Sequence, residues 1–210
     1  MRHNNLGSYV TLRFGLYDLA HFAKDNLSFL WNVTEQLNAT LFAIIYRKQQ
    51  NQLDPILNKY SGTYCFRIAN IDDTNLLVQF FAEQPKDTFE FFQPHGFDEK
   101  SIRKVITNKS FLTFIVSDAD KIVGYFFLRC FVNGKGFRGK VVDYRYRGKG
   151  IAKQMGIVMT ETAKGLGIRV FGSISPKNMA SLASARASNE VRIVRTLENG
   201  YYYIEFTSKK

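Results

Sequence analysis

A Gly-rich turn with three basic residues carries the clearest chemistry in this sequence. It spans residues 145–152, Arg-Tyr-Arg-Gly-Lys-Gly-Ile-Ala, between a predicted strand and a predicted helix. Backbone N–H groups in the first turn of a helix lack partners within the helix, and the helix dipole adds partial positive charge. Gly148 and Gly150 remove the side chains that would keep a phosphate group away from these amides. The spacing is neither Gly-x-Gly-x-x-Gly nor that of a P-loop, so the turn predicts another kind of phosphate site.

The segments around this turn have the periodicities of a mixed α/β sheet. Apolar positions recur at helical spacing from Ile151 onwards, and Gly165 and Gly167 are expected to stop this helix. Strands are predicted at 64–68, 111–117, 122–132, 140–144, 168–174, 191–194 and 201–206. Other helices are predicted at 74–82 (capped by Asp72 and Asp73), 99–108 and 178–187, with loops or turns at 89–97 and 134–139. The strand before the turn and the strand after its helix form a parallel crossover.

Residues 1–60 differ in character from the rest of the chain. They predict a short strand at 9–14, followed by helices with an apolar face that continues through Leu37, Leu41 and Ile44. The run 41–46 is expected to be a buried helical turn. No recognisable catalytic set occurs here, so we predict an accessory, mostly helical segment at 1–60 and a functional domain at 61–210.

Residues 63–206 resemble the GNAT superfamily of acyl-coenzyme A N-acyltransferases. Arg145-x-x-Gly148-x-Gly150 matches the family's Arg/Gln-x-x-Gly-x-Gly/Ala motif, and residues 141–152 look like its fourth strand entering its third helix. Asn178, with Ser181 three residues later, resembles a second motif on the coenzyme A side. The resemblance implies an α/β (α+β) fold with a mixed central sheet, a splayed parallel strand pair and flanking helices. It also implies transfer of an acetyl group from acetyl-CoA to a primary amine.

The same resemblance implies which residues bind the donor. The pyrophosphate of coenzyme A would lie on the amides of residues 147–152, which are Arg147, Gly148, Lys149, Gly150, Ile151 and Ala152. The pantetheine arm would pair with the strand around Val142, where a backbone N–H would polarise the thioester carbonyl. Asn178 would contact or help to place the pantetheine.

The acid and the base of the reaction are less well marked. Ala185 stands where many family members have a Tyr that protonates the leaving thiolate, and Asn189-Glu190 replaces a usual Gly-Phe pair. Tyr201, Tyr202 and Tyr203 lie on the last hairpin and could substitute, and we name Tyr203. His95, in the loop that borders the acceptor site in this family, is the candidate base because its ordinary pKa suits proton transfer near neutrality.

The charge balance bears on the acceptor. A net charge of +11, from 29 Lys and Arg against 18 Asp and Glu, disfavours polycationic acceptors. It is compatible with a small acceptor that carries phosphate, such as a nucleotide-linked amino sugar. Two alternatives stay open: a protein or peptide N-acetyltransferase, and a catalytically silent GNAT-like module that binds a ligand or a nucleic acid. The basic residues are scattered, so a nucleic-acid partner is not the first expectation.

The remaining features indicate an ordinary intracellular enzyme. Cys65 and Cys130 lie in apolar strands and are expected to be buried, reduced thiols. No His, Cys or carboxylate spacing supports a metal site, so no metal is expected. No apolar run reaches about 18 residues, and no secretory signal is visible, so we expect a cytoplasmic protein without a membrane partner. The sequence leaves the oligomeric state open, a homodimer included.

Overall fold

A seven-stranded sheet is the centre of the computed structural model, which describes residues 32–209. Its strands are β1 Cys65–Ile68, β2 Phe111–Asp118, β3 Lys121–Phe131, β4 Lys135–Val142, β5 Arg169–Ile174, β6 Glu190–Thr196 and β7 Tyr202–Thr207. They are arranged in the order β1-β2-β3-β4-β5-β7-β6. Only β4 and β5 pair in parallel; the other neighbours are antiparallel. The predicted mixed sheet with one parallel crossover is confirmed.

Seven α-helices are described, and those from residue 53 onwards flank the two faces of this sheet. The seven are α1 (residues 32–45), α2 Arg47–Gln50, α3 Leu53–Tyr60, α4 Thr74–Ala82, α5 Glu99–Thr107, α6 Ile151–Leu166 and α7 Met179–Ser188. Alternate residues of a strand face opposite sides, so the sheet has two separate apolar cores. One core joins α3, α6 and α7 to strand residues such as Phe114 and Val116. The other joins α4 and α5 to strand residues such as Ile115 and Tyr125.

The chain divides into two compact units, Met1–Asn38 and Ala39–Lys210. Of the first unit, residues 32–38 are described, and they are helical. The strand predicted at 9–14 and the helices predicted up to residue 31 lie outside the described residues. The predicted domain boundary at residue 60 stays a prediction.

The run 41–46 is helical up to residue 45 but is not buried as a whole, so the prediction of a buried helical turn was wrong. Phe42 is fully buried, whereas Leu41, Ile44 and Ile45 are 39%, 67% and 55% exposed. Only the Phe42 face of this helix points into the core of the second unit, next to Leu53 and Leu57 of α3 in the same cluster.

The start of β4 was also predicted wrongly. Residues 134–139 were expected to be a turn, but β4 begins at Lys135 and ends at Val142. Gly136 pairs with neighbours on both sides of the strand. A Cβ at Gly139 would lie 2.5 Å from the ring of Phe127. These glycines permit close packing within the sheet. A Gly-rich segment of this kind in a strand has the same composition as a Gly-rich turn, so the sequence alone did not distinguish the two.

Two helix ends differ from the prediction. Gly165 lies inside α6, and Gly167 alone ends it, with a left-handed φ of 70°. The cap before α4 is formed by Asn70, whose side chain accepts from the N–H of Asp72, while the carboxylate of Asp73 accepts from the N–H of Asn70. Asp73 therefore takes part in the cap as predicted, but Asp72 serves only as a donor.

The two cysteines are both free thiols but differ in exposure. Cys130 is buried, and burial raises the pKa of its thiol. Cys65 is exposed because it is the first residue of β1 and faces the side opposite to the buried Phe66, so its predicted burial was wrong. Among residues 32–209, no helix is both long and apolar enough to cross a membrane.

Candidate functional site

The turn after β4 is held by a buried carboxylate. Asp143 is fully buried, and its Oδ1 accepts from the backbone N–H of Arg145 at 2.9 Å. The guanidinium of Arg145 bonds Asp143 at 2.6 Å and Glu83 at 2.5 Å. Burial by itself would raise the pKa of Asp143, but the hydrogen bonds from Arg145 hold it below its ordinary value. Arg145 therefore orders the turn. Its charge is neutralised by the carboxylates of Glu83 and Asp143, so it is not directed at the phosphate site that the sequence predicted.

Two left-handed glycines carry the chain from this turn into α6. Gly148 and Gly150 have φ values of 80° and 81°, in the region that favours glycine. No atom lies within 4 Å of where a Cβ would stand on either of them. Lys153 and Gln154 donate to the carbonyl of Gly150, so the amides before them precede the first helical hydrogen bond. The predicted strand, turn and helix N-terminus are all present, with open space in front of the glycines.

The parallel strands β4 and β5 separate next to this turn. Their paired residues end at Phe137 and Phe171, although β4 continues to Val142. In an antiparallel ladder, consecutive residues point their N–H and C=O groups alternately toward and away from the partner strand. The N–H of Asp143 donates to Val123 on β3. The N–H and C=O groups of Val142 and Lys140 therefore point away from β3, into the gap left by β5.

A cavity of about 600 Å³ occupies this gap and is lined by residues on both faces of the sheet. On one face it is bounded by residues 87–94, which follow α4, together with Phe127 and Phe137. On the other face it reaches Ala152 in the first turn of α6 and the start of α7. Of the predicted donor-site residues, Val142, Arg147, Ala152 and Asn178 line the cavity, while Gly148, Lys149, Gly150 and Ile151 form the turn and helix start beside it.

Asn178 has a structural task at the start of α7. Its Oδ1 accepts from the backbone N–H of Ser181 at 2.9 Å, which makes it the N-cap of this helix. The Asn-x-x-Ser spacing is thus explained by capping, and the cap also holds the residue at the cavity wall.

Two basic side chains that the sequence analysis did not select lie below the gap. Arg138 and Lys140, here called the cation pair, stand two residues apart on β4 and point toward α6 and α7. Arg138 donates to the Gly156 carbonyl at 3.2 Å and to Asn189 Oδ1 at 2.7 Å. Among the described residues, no carboxylate forms an ion pair with either cation. Alternate residues of a strand share one face, so two basic residues at positions 138 and 140 are the sequence signal that could have identified this pair.

The nitrogen atoms of Lys140 and Arg138 are largely enclosed by protein. Lys140 Nζ donates to the carbonyl of Ala152 at 2.5 Å and to Ser184 Oγ at 2.8 Å. Burial, together with the nearby charge of Arg138, lowers the pKa of Lys140 to about 7. Burial also lowers the pKa of Arg138, which stays charged at neutral pH. Lys140 lines the cavity and is the group there whose charge can change near neutrality.

The predicted base, His95, lies in the segment 89–97, within a cluster of aromatic rings that includes Phe97 and Tyr125. Its Nδ1 is 2.7 Å from the Gly96 carbonyl, and its Nε2 is 2.7 Å from the hydroxyl of Tyr125. Because a carbonyl only accepts, Nδ1 carries the proton and Nε2 accepts from Tyr125. Burial lowers the pKa of His95. Both ring nitrogens already have partners in the protein, and the role of His95 as a base stays a prediction.

The predicted acid, Tyr203, lies on β7 on the other side of β5 from the gap. Its ring stacks on Phe171 at 5.3 Å and lies 6.0 Å from Phe137, which borders the cavity. Burial raises the pKa of Tyr203. The stacking fixes the ring against the sheet face, and its role as an acid stays a prediction.

Solved structures with the same architecture provide the comparison. Neither a protein-family model nor a curated protein matches the chain in sequence. The GNAT domain of PAT from S. lividans is 16% identical and has a TM-score of 0.61, covering 69% of this chain and 90% of its own. PaiA N-acetyltransferase from Thermoplasma acidophilum, in complex with coenzyme A, is 14% identical with a TM-score of 0.59, covering 70% of this chain and 100% of its own. AAC(6')-Ib, in complex with paromomycin and acetyl-CoA, is 12% identical with a TM-score of 0.55, covering 70% and 94%.

These likenesses agree with features observed independently in the sheet. The seven-stranded sheet contains a single parallel pair, β4 and β5, which separates near the glycine turn that leads into α6. Within residues 32–209, no group of three or more His, Cys, Asp and Glu side chains could hold a metal ion. The strand order, the separated parallel pair and the structural likenesses together show that this chain has the fold of GNAT acetyltransferases.

Proposed function

We propose that the protein is an N-acetyltransferase that moves the acetyl group of acetyl-CoA to a primary amine of a small, anionic acceptor. The observation that carries this proposal is the gap between β4 and β5, where backbone groups of β4 face a cavity lined by residues from both faces of the sheet. An extended ligand arm can hydrogen-bond to such a strand edge as an added strand would. A thioester held there is accessible to an amine from the opposite face.

The donor would enter from the side of α6 and α7. Its pyrophosphate would lie on the amides of residues 147–152, where Gly148 and Gly150 leave open space and the helix dipole favours negative charge. Its pantetheine arm would pair with the edge at Val142, whose N–H points into the gap. The capped Asn178 would border the same arm. Acetyl-CoA is a co-substrate here, and the structural neighbours in complex with it or with coenzyme A support this assignment.

The acceptor would approach from the side of residues 87–94. Aromatic rings line this opening, and the adjoining sheet face carries the stack of Phe137, Phe171 and Tyr203. Arg195 lies over the ring of Tyr203 at 5.6 Å, and Arg147 lines the cavity itself. Rings with adjacent guanidinium groups suit a planar or phosphate-bearing acceptor, such as a nucleotide-linked amino sugar, better than a polycation.

The donor site can be tested through one glycine. Gly148→Glu places a carboxylate and extra bulk where the pyrophosphate would lie, and we expect the affinity for acetyl-CoA, measured by calorimetry, to fall at least 100-fold. Gly200→Glu is the matched control, because Gly200 has the same φ of 80° and open space, but lies in the hairpin between β6 and β7. Equal affinities of the two variants for acetyl-CoA would refute the assignment of the pyrophosphate site to residues 147–152.

Activity is tested by thiol release with a panel of primary amines. The wild-type protein should be stabilised by acetyl-CoA, by about 2.7 kcal/mol at 100 times its dissociation constant, and should release thiol with phosphate-bearing amines before polyamines. Stabilisation without thiol release from any amine or peptide would favour the catalytically silent binding module instead. Absence of binding to any acyl-CoA would refute the proposed function.

A further inference from the structure

Lys140 has hydrogen-bonding capacity directed at the cavity that the protein does not use. An ammonium group has three N–H donors. Within the described residues, two partners are within hydrogen-bonding distance of Nζ, the Ala152 carbonyl at 2.5 Å and Ser184 Oγ at 2.8 Å. Lys140 and both residues that its Nζ contacts line the cavity, and the backbone of Lys140 points into the gap between β4 and β5. The third N–H has no acceptor among residues 32–209, and the residues around Nζ belong to the cavity wall.

The charges around Lys140 leave it without a counter-ion. The charged side chains that line the same cavity are Asp87, Arg138 and Arg147. Asp87 lies on the opposite side of the sheet, in the segment before the loop, and forms no ion pair with Lys140. From α6 and α7, the groups that contact Nζ are a carbonyl and a hydroxyl, both neutral. An enclosed cation without an anion is costly, so this site is suited to an anion that a ligand brings or develops.

Aminolysis of a thioester develops such an anion. The amine nitrogen attacks the carbonyl carbon, the C–N bond forms, and the C–S bond breaks with its electron pair left on sulfur. The sulfur becomes a thiol when it takes a proton from a nearby acid, and the attacking amine loses a proton to water or a base. Proton transfer from an ammonium with a pKa of about 7 to a thiolate, whose thiol has a pKa near 8.5 or above, is favourable.

We propose that Lys140 is the general acid that protonates the departing coenzyme A thiolate, with Ser184 positioning its ammonium group. This inference rests on the proposed function, because it requires coenzyme A in the gap. The proton passes from Lys140 Nζ to sulfur, leaving a neutral amine that solvent in the cavity reprotonates after product release. Lys140 lies on β4 and Ser184 on α7, whereas the acid named from the sequence, Tyr203, lies on the last hairpin.

The test uses coenzyme A itself, so no acceptor needs to be known. Binding of coenzyme A to the wild type is measured first by calorimetry, and the pKa of its bound thiol is then read from ultraviolet absorbance of the thiolate during a pH titration. Lys140 and the bound thiol titrate as a coupled pair, so we expect the thiolate to begin to form at a lower pH on the wild type than in solution, and its titration to return to the solution curve on Lys140→Met. Lys135→Met, a change of an exposed lysine at the start of the same strand, should leave the shift intact.

The outcomes separate this inference from the proposed function. If coenzyme A fails to bind the wild type, the proposed function falls, and the inference falls with it. If coenzyme A binds both proteins and its thiol has the same pKa on wild type and Lys140→Met, the inference alone is overturned. Should Lys140→Met not fold, Ser184→Ala decides: the shift should shrink because the ammonium loses its 2.8 Å partner, and an unchanged shift overturns the inference.

Discussion

Replacing Lys140 with Met is expected to change how the stability of the protein responds to pH. Burial and the charge of Arg138 lower the pKa of Lys140 from 10.5 to about 7 in the folded state. Between these values the unfolded chain binds a proton that the folded chain has released. Stability therefore rises with pH across this window, because the cost of enclosing the ammonium is full below about pH 7 and shrinks above it.

The size of the effect follows from the difference in proton binding. One pKa unit corresponds to about 1.4 kcal/mol, and integration between about pH 6 and about pH 9 gives a gain of about 2.5 kcal/mol. Lys140 keeps part of its surface open to the cavity, so water reduces this figure. We therefore expect the free energy of unfolding of the wild type to rise by about 1–2 kcal/mol over that range through this lysine.

The assay is urea denaturation at several pH values, with the wild type, Lys140→Met and Lys135→Met compared. The variant at position 140 should lack the rise and should be more stable than the wild type at the acid end of the range, provided that the Met side chain fills the space. The variant at the exposed position 135 should follow the wild type. Parallel curves for all three proteins would show that the Lys140 ammonium is solvated, and the reasoning would fail.

Two further substitutions test the packing and the turn. Gly139→Ala should lower the free energy of unfolding by about 1–3 kcal/mol, because its methyl group would lie 2.5 Å from the ring of Phe127. Gly62→Ala, in open space, should change it by less than about 0.5 kcal/mol in the same denaturation series, and equal effects would contradict the packing argument. Asp143→Asn should cost about 2 kcal/mol by removing the charge that binds Arg145. The pKa of Asp143 is lowered by that contact, so the wild type should keep this advantage above the ordinary pKa of Asp and lose it as pH falls below that value through the lowered pKa; a constant difference between the two proteins across this acid range would refute the argument.

The sequence by itself determined the order of the elements and the position of the turn. Hydrophobic periodicity located α6, because its buried face is set by residues within one helix, such as Ile151, Met155 and Val158. Gly148 and Gly150 marked the turn, because a left-handed backbone is a local requirement that few other residues meet. These signals are local, so they can be read without the fold.

Only the tertiary structure decided where the charges of the site lie. The sequence suggested that Arg145 binds an anion. In the structure it forms ion pairs with the buried Asp143 and with Glu83, which lies 62 residues earlier in the chain. Lys140 looked like an ordinary strand lysine, and its altered acidity depends on α6 and α7, which close over it from elsewhere in the chain. Electrostatic energies depend on distance in space and on exclusion of water, and neither is encoded in the spacing of residues along the chain. The turn could therefore be found from sequence, whereas the cation pair beneath the gap required the packed sheet.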